Sequence, residues 1–257
     1  MRHGFHRELE LLDETLVNLI GLVRDAVERA SIGLLHADLR AAESVVSGDE
    51  LIDHLYVAGE LHAMRLMARQ QPVAGDLRGL VATLRMVAEI ERMGDLALHI
   101  AKVARRQYPA VAIPESALQV TTEMAEMATV FAERCASAIA GRDPSAADDL
   151  RCQDDRIDQL HRQLFSVVLS PRWNHPTGRA IDVTLCGRYY ERFCDHAVTV
   201  VGEVAYIVTG LRPTSGRSSG YNVALRGAER LAVERSRAAA VAGELTARQA
   251  ISVFSST

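Results

Sequence analysis

Apolar residues recur along most of the chain at spacings of three and four, the period of a helix with one buried face, and strand-like alternation is nearly absent. Leu12, Leu16, Leu19, Val23, Val27 and Ala30 mark a first helix over 8–36. Asp38 is placed to cap a second helix running to residue 70, because its carboxylate can accept from the first free backbone N–H groups. Gln71-Pro72-Val73-Ala74-Gly75 breaks that helix, and Asp76 is expected to cap a third one reaching residue 106. The proline-bracketed stretch 108–114 connects to a fourth helix over 115–140. Gly141-Arg142-Asp143-Pro144 reads as a stop followed by a start, with glycine as C-cap, aspartate as N-cap and proline at the first helical position. A fifth helix then runs to residue 169, the segment SPRWNHPTG turns the chain, and a sixth helix occupies 179–210.

The second half of this pattern repeats the first. At an offset of 105, Glu28-Arg29 falls on Glu133-Arg134, Asp38 on Asp143, and Asp49, Ile52, Asp53 and Leu55 on Asp154, Ile157, Asp158 and Leu160. After the break, at an offset of 100, Glu91-Arg92 falls on Glu191-Arg192 and Asp95 on Asp195. The change of five residues lies between the second and third helix of each repeat, where a loop absorbs it. The chain is therefore expected to be all-α: two tandem, pseudo-symmetric three-helix bundles of six long helices, with repeats at 1–108 and 115–210. Residues 211–257 match neither repeat. They open on a Ser/Gly run and continue in an Arg/Ala/Glu-rich helical pattern, expected to be a linker with an appended helix.

Composition narrows the function. The 257 residues are 48% hydrophobic and 24% charged, with 17 Gly and 7 Pro, so a sizeable core and long helices are both within reach. A net charge of −4 attracts neither nucleic acid nor anionic lipid, and the arginines after residue 222 lack the interleaved aromatics of a nucleic-acid surface. Lys102 is the only lysine and has no glycine loop beside it, which argues against a phosphate-cradling NTPase site. Cys135, Cys152, Cys186 and Cys194 form no CxxC and sit in helical patterns, as reduced packing residues do. No signal peptide or membrane span is visible, so a cytoplasmic protein is expected.

The candidate chemistry lies in carboxylate pairs. Asp49 with Asp53 and Asp154 with Asp158 stand near the start of the second helix of each repeat. Glu91 with Asp95 and Glu191 with Asp195 stand midway along the third. All four pairs are spaced i, i+4, so each puts two like charges on one helix face, at a cost that a cation or an arginine would relieve. The flanking apolar and small residues make each pair the edge of a groove. Iron, manganese, magnesium and zinc are the candidate ions, and an all-oxygen donor set favours the harder ones over a structural zinc. Without ions, the same pairs form two acidic grooves able to receive arginine-rich partner surfaces.

Two three-helix repeats, each with ERxxD in the third helix, resemble the PhoU family of phosphate-uptake regulators. QPVAGDLR, over 71–78, is similar to that family's QPxAxDLR segment. The likeness covers about residues 5–210 and is looser in the second repeat, where SPRWNHPTGR replaces the QP segment and Phe193-Cys194 interrupts the motif. It implies metal clusters held by Glu91, Asp95, Glu191 and Asp195, with Asp49, Asp53, Asp154 and Asp158 as secondary ligands. It also implies a non-enzymatic homodimer that represses the phosphate-starvation response when phosphate is plentiful. The implied partners are a phosphate-sensing histidine kinase and the ATPase of the phosphate ABC transporter, with any membrane association made through them.

Two rival readings differ in class. A ferritin-like, carboxylate-bridged metal oxidase needs Glu-x-x-His on two helices, whereas the nearest match is Asp158 to His161 and its first-repeat counterpart ends on Tyr56. A metal-free helical scaffold would bind partners through the grooves alone. His54, His62 and His99 read as packing or solvated histidines, and Trp173 as a loop anchor.

Overall fold

A computed structural model describes residues 2–211. The linker and helix expected after residue 211 lie outside the described residues. Six helices follow one another: α1 (Arg2–His36), α2 (Leu39–Gln70), α3 (Ala74–Gln107), α4 (Glu115–Gly141), α5 (Ala146–Val168) and α6 (Thr177–Thr209). Among the described residues there is no strand. The first helix begins earlier than the periodicity indicated, with Phe5 buried against Leu12, Ala63, Leu66 and Leu80 in a small satellite core.

The helix ends test the expected capping. Asp38 is the N-cap of α2, its carboxylate accepting from the Ala41 N–H at 3.0 Å. Just before it, Gly33 brings α1 so close to α2 that an added Cβ would stand 3.0 Å from the Ala42 Cβ. Three expected caps fail. Helix α3 starts two residues before Asp76, behind an extended Val73, so Asp76 sits in the first turn, where its charge still suits the helix dipole. Gly141 remains helical, and Arg142 takes the left-handed C-cap conformation at φ 48°. Asp143 folds its side chain onto the Ser145 N–H and hydroxyl and pairs with Arg134, so Ser145 becomes the N-cap residue of α5.

Helices α1, α2 and α3 pack together, as do α4, α5 and α6. The repeats then meet along α3 with α6 and α1 with α4, which leaves α2 and α5 as the outer helix of each repeat. One continuous hydrophobic core runs through both halves, from Leu16 and Ile90 to Phe131, Tyr190 and Val201. The repeats are thus halves of one folding unit that share a seam. Polar side chains cross it: the Ser31 hydroxyl and the Tyr190 hydroxyl are 2.8 Å apart, and buried Asp182 accepts from Arg106 and Gln107. An arginine near the start of each third helix reaches across to the other repeat: Arg78 to the end of α6, and Arg179 to the connector after α3. Arg78 donates to the Ile207 carbonyl at 3.2 Å, and Arg179 donates to the Val111 and Ala112 carbonyls at 2.6 and 2.8 Å.

Within each repeat the outer helix lies against the third helix through one small residue, on alternate sides. Gly59 of α2 faces Val87 of α3, whereas at the matching positions Leu164 of α5 faces Gly187 of α6. The glycine changes helices between the repeats, and the side chain facing it grows by one methylene from Val to Leu.

Candidate functional site

In the first repeat the two acidic pairs face each other across α2 and α3. An added Cβ on Gly94 would come within 3.1 Å of Ile52 Cγ2, so the two backbones approach closely beside both pairs. Asp49 and Glu91 are half-buried, while Asp53 and Asp95 are exposed. Burial raises the proton affinity of Asp49, and the charges of Asp53 and Asp95 raise it further. Glu91 is likewise raised by burial, then by Asp95 and Asp53. Lys102 and His99 act against the shift at Asp49, and Arg92 acts against it at Glu91. The four carboxylates therefore form one electrostatic group drawn from two helices.

In the second repeat the third-helix pair sits deeper, and the order within the second-helix pair is reversed. Asp158 and Glu191 are buried and Asp154 and Asp195 are half-buried. Arg188, one turn before Glu191, donates to its carboxylate. Asp195 is pushed up to about 6, by burial first and then by Glu191 and Asp154, with Arg188 and His196 opposing. Burial also raises Glu191, and there Arg188 is the leading opposing charge. Asp154, Glu191 and Asp195 thus act on one another as the first-repeat group does.

Donor chemistry separates the two groups as cation sites. Among the described residues, no three His, Cys, Asp or Glu side chains converge into a ready-made ligand group. The first group nevertheless fits a hard cation: its donors are all oxygens, and burial with the neighbouring negative charge raises the proton affinities of Asp49 and Glu91. The second fits less well, because an arginine already answers Glu191.

The remaining candidates take ordinary places. His99 stacks on Tyr189 with ring centroids 5.3 Å apart, His62 Nε2 lies 2.7 Å from Glu8 Oε2, and His54 is exposed. Trp173 packs its half-buried ring on the core. All four cysteines are free. Three are buried, whereas Cys152 is exposed and has no packing role.

A family model described as the PhoU domain matches the chain twice, at residues 16–104 and 121–204. The chain belongs to the PhoU family. It is 45% identical over 213 residues to the phosphate-specific transport system accessory protein PhoU homolog 2 of Mycobacterium tuberculosis, a match that takes in 83% of this chain and 100% of that one. It is 44% identical to PhoU homolog 1 of Mycobacterium leprae, over 83% of this chain and 96% of the relative. The crystal structure of PhoU from Pseudomonas aeruginosa superposes with a TM-score of 0.73 at 25% identity, covering 80% of this chain and all of that one. The phosphate transport system regulatory protein PhoU from Streptococcus pneumoniae gives 0.74 at 24% identity, covering 82% and 100%, and bears on the fold alone.

Several PhoU-fold residues that matter electrostatically escaped the sequence reading. Arg188 and His196 occupy the positions of Ala88 and Leu96 in the first repeat, and buried Asp182 and Glu203 those of Ala82 and Val103. His196 Nδ1 lies 2.5 Å from Glu89 Oε2, and Arg85 pairs with Glu203 at 3.4 Å, both across the α3–α6 seam. These are positions where the repeats disagree, and that disagreement was the available signal.

Proposed function

We propose that this chain is a non-enzymatic regulator of phosphate uptake that represses the phosphate-starvation response when phosphate is plentiful. The observation that carries the reading is its 45% identity to a phosphate-specific transport system accessory protein along that relative's whole length. Agreement of the six-helix fold with PhoU structures supports it. Its partners are the phosphate-sensing histidine kinase and the ATPase of the phosphate transporter. No described helix is long and apolar enough to cross a membrane. In this reading the chain acts from the cytoplasmic side and meets the membrane through those partners.

The carboxylate groups serve this role as cation sites. Asp49, Asp53, Glu91 and Asp95 would hold a divalent or trivalent ion, which would neutralise their mutual repulsion and tie α2 to α3. This chain's own residues set the surface on which that charge is displayed, because α2 and α5 are the outer helices. Comparing a phosphate-starvation reporter in high phosphate, with and without the gene, tests the regulatory reading. A reporter that stays silent in the deletion strain contradicts it.

A further inference from the structure

The second-repeat groove continues beyond its carboxylates. On α5, Asp154, Asp158, His161, Phe165 and Leu169 recur at spacings of four, three, four and four, which places them along one side of the helix. On α6, Ile181, Arg188 and Asp195 border the same side in the opposite direction, whereas Leu185 stands with Asp182 and Tyr189 toward α3. Two levels show that these stripes border one groove. At one, Asp154 raises the proton affinity of Glu191 and Asp195. At the next, the His161 ring lies 3.3 Å from the place of a Cβ on Gly187, beside Arg188. The ring of Phe165 follows, 5.0 Å from that of His161.

Past Phe165 the groove turns apolar and open. Leu169 is 79% exposed, Ile181 53% and Phe165 40%. Among the described residues α5 packs only against α4 and α6. The apolar end is weaker in the first repeat, where Glu60 stands at the position of Phe165 and Met64 and Val81 at those of Leu169 and Ile181. The acidic end holds three carboxylates, Asp154, Glu191 and Asp195, against Arg188, which is paired with Glu191, and the exposed Arg192. From Asp154 to Leu169 the groove is roughly 22 Å long at 1.5 Å per residue, about four helical turns.

We propose that the α5–α6 groove docks an amphipathic helix of a partner protein, with apolar residues on Phe165, Leu169 and Ile181 and an arginine or lysine about three turns away against Asp154 and Asp195. This rests on the regulatory reading and names the chemistry of the partner segment. Length fits a short helix laid into a groove between two others, a common recognition mode. Charge complementarity fixes its direction: the basic end lies over the carboxylates and the apolar end over the α5–α6 turn. The two repeats then divide the work. The first, with four carboxylates and no arginine paired to them, suits a cation, and the second suits a peptide.

The probe is a fluorescein-labelled helical peptide of about sixteen residues, long enough for four turns. It carries two leucines one turn apart at one end and two arginines three turns on. A twin has glutamates in place of the arginines. Anisotropy with the full chain in low salt is expected to show binding of the first peptide. The twin should bind about tenfold or more weakly, and so should the first peptide to a Leu169→Ser/Ile181→Ser chain, as for the loss of a central apolar anchor. Both substituted residues are exposed, so helical content should be unchanged by circular dichroism. Failure of the first peptide to bind, equal binding of the twin, or full binding by the double variant overturns the proposal. So does conversion of a dimer to a monomer by the double variant in sedimentation, which would assign the patch to a second copy of the chain. In cells, loss of reporter repression by the double variant at normal abundance supports the groove. Repression retained by the double variant overturns the groove and leaves the regulatory reading standing, since deletion of the whole gene tests that separately.

Discussion

Asp195 is moved from its ordinary value of 3.8 to about 6 because burial disfavours its charge and Glu191 and Asp154 face it. The folded state therefore binds more protons than the unfolded chain between about pH 4 and 6, and this group's contribution to stability falls as pH rises through that window. Asp195→Asn removes the buried charge and is expected to raise the melting temperature by roughly 2 °C or more at pH 7.5 in chelator, with little change at pH 5. An equal shift at both values would contradict the assignment. Gly187 makes a second residue-scale prediction, since a Cβ there would overlap Leu164 Cδ2. Gly187→Ala should cost about 1–3 kcal/mol by denaturant titration, and Leu164→Ala in the same chain should recover part of it. The acidic pairs were legible from the sequence because i, i+4 spacing alone sets their common face. Arg188, three residues before Glu191, was legible on the same ground, whereas His196 was not, because nothing in the one-dimensional pattern brings it to Glu89 of α3.

At the scale of elements, the helix count and order followed from periodicity, and the boundaries fell within a few residues except at the start of α1. Its first turns gave no clean apolar period, yet Phe5 is buried against α2 and α3, a tertiary contact that local pattern cannot reveal. Capping was legible only where no other partner competed. Asp38 has its own helix to cap, whereas Asp143 is drawn to Ser145 and Arg134. The α2–α3 pair carries the cation prediction. Manganese added to metal-free protein is expected to raise the melting temperature, because binding to the folded state alone stabilises it by mass action. That gain should vanish in Asp49→Asn/Asp95→Asn and survive largely in Asp154→Asn/Asp195→Asn, where Arg188 already supplies positive charge. A gain that is indifferent to both double variants would remove the first-repeat site.

For the whole molecule, the duplication was visible in the sequence but the continuity between its halves was not. The seam is built from residues the repeats do not share, such as Tyr190 opposite Ser31 and Asp182 opposite Arg106. With one core running across α1, α3, α4 and α6, heating should give a single cooperative transition for residues 2–211, and two separated transitions would contradict the shared core. Such a body suits a regulator that reports a charge state on its outer helices without chemistry of its own. The measurement that bears most directly on that account is a phosphate-starvation reporter in a deletion strain grown in high phosphate, with and without the gene restored. The account predicts a reporter that is on without the gene and off when it returns. A reporter that stays off in both strains would contradict it.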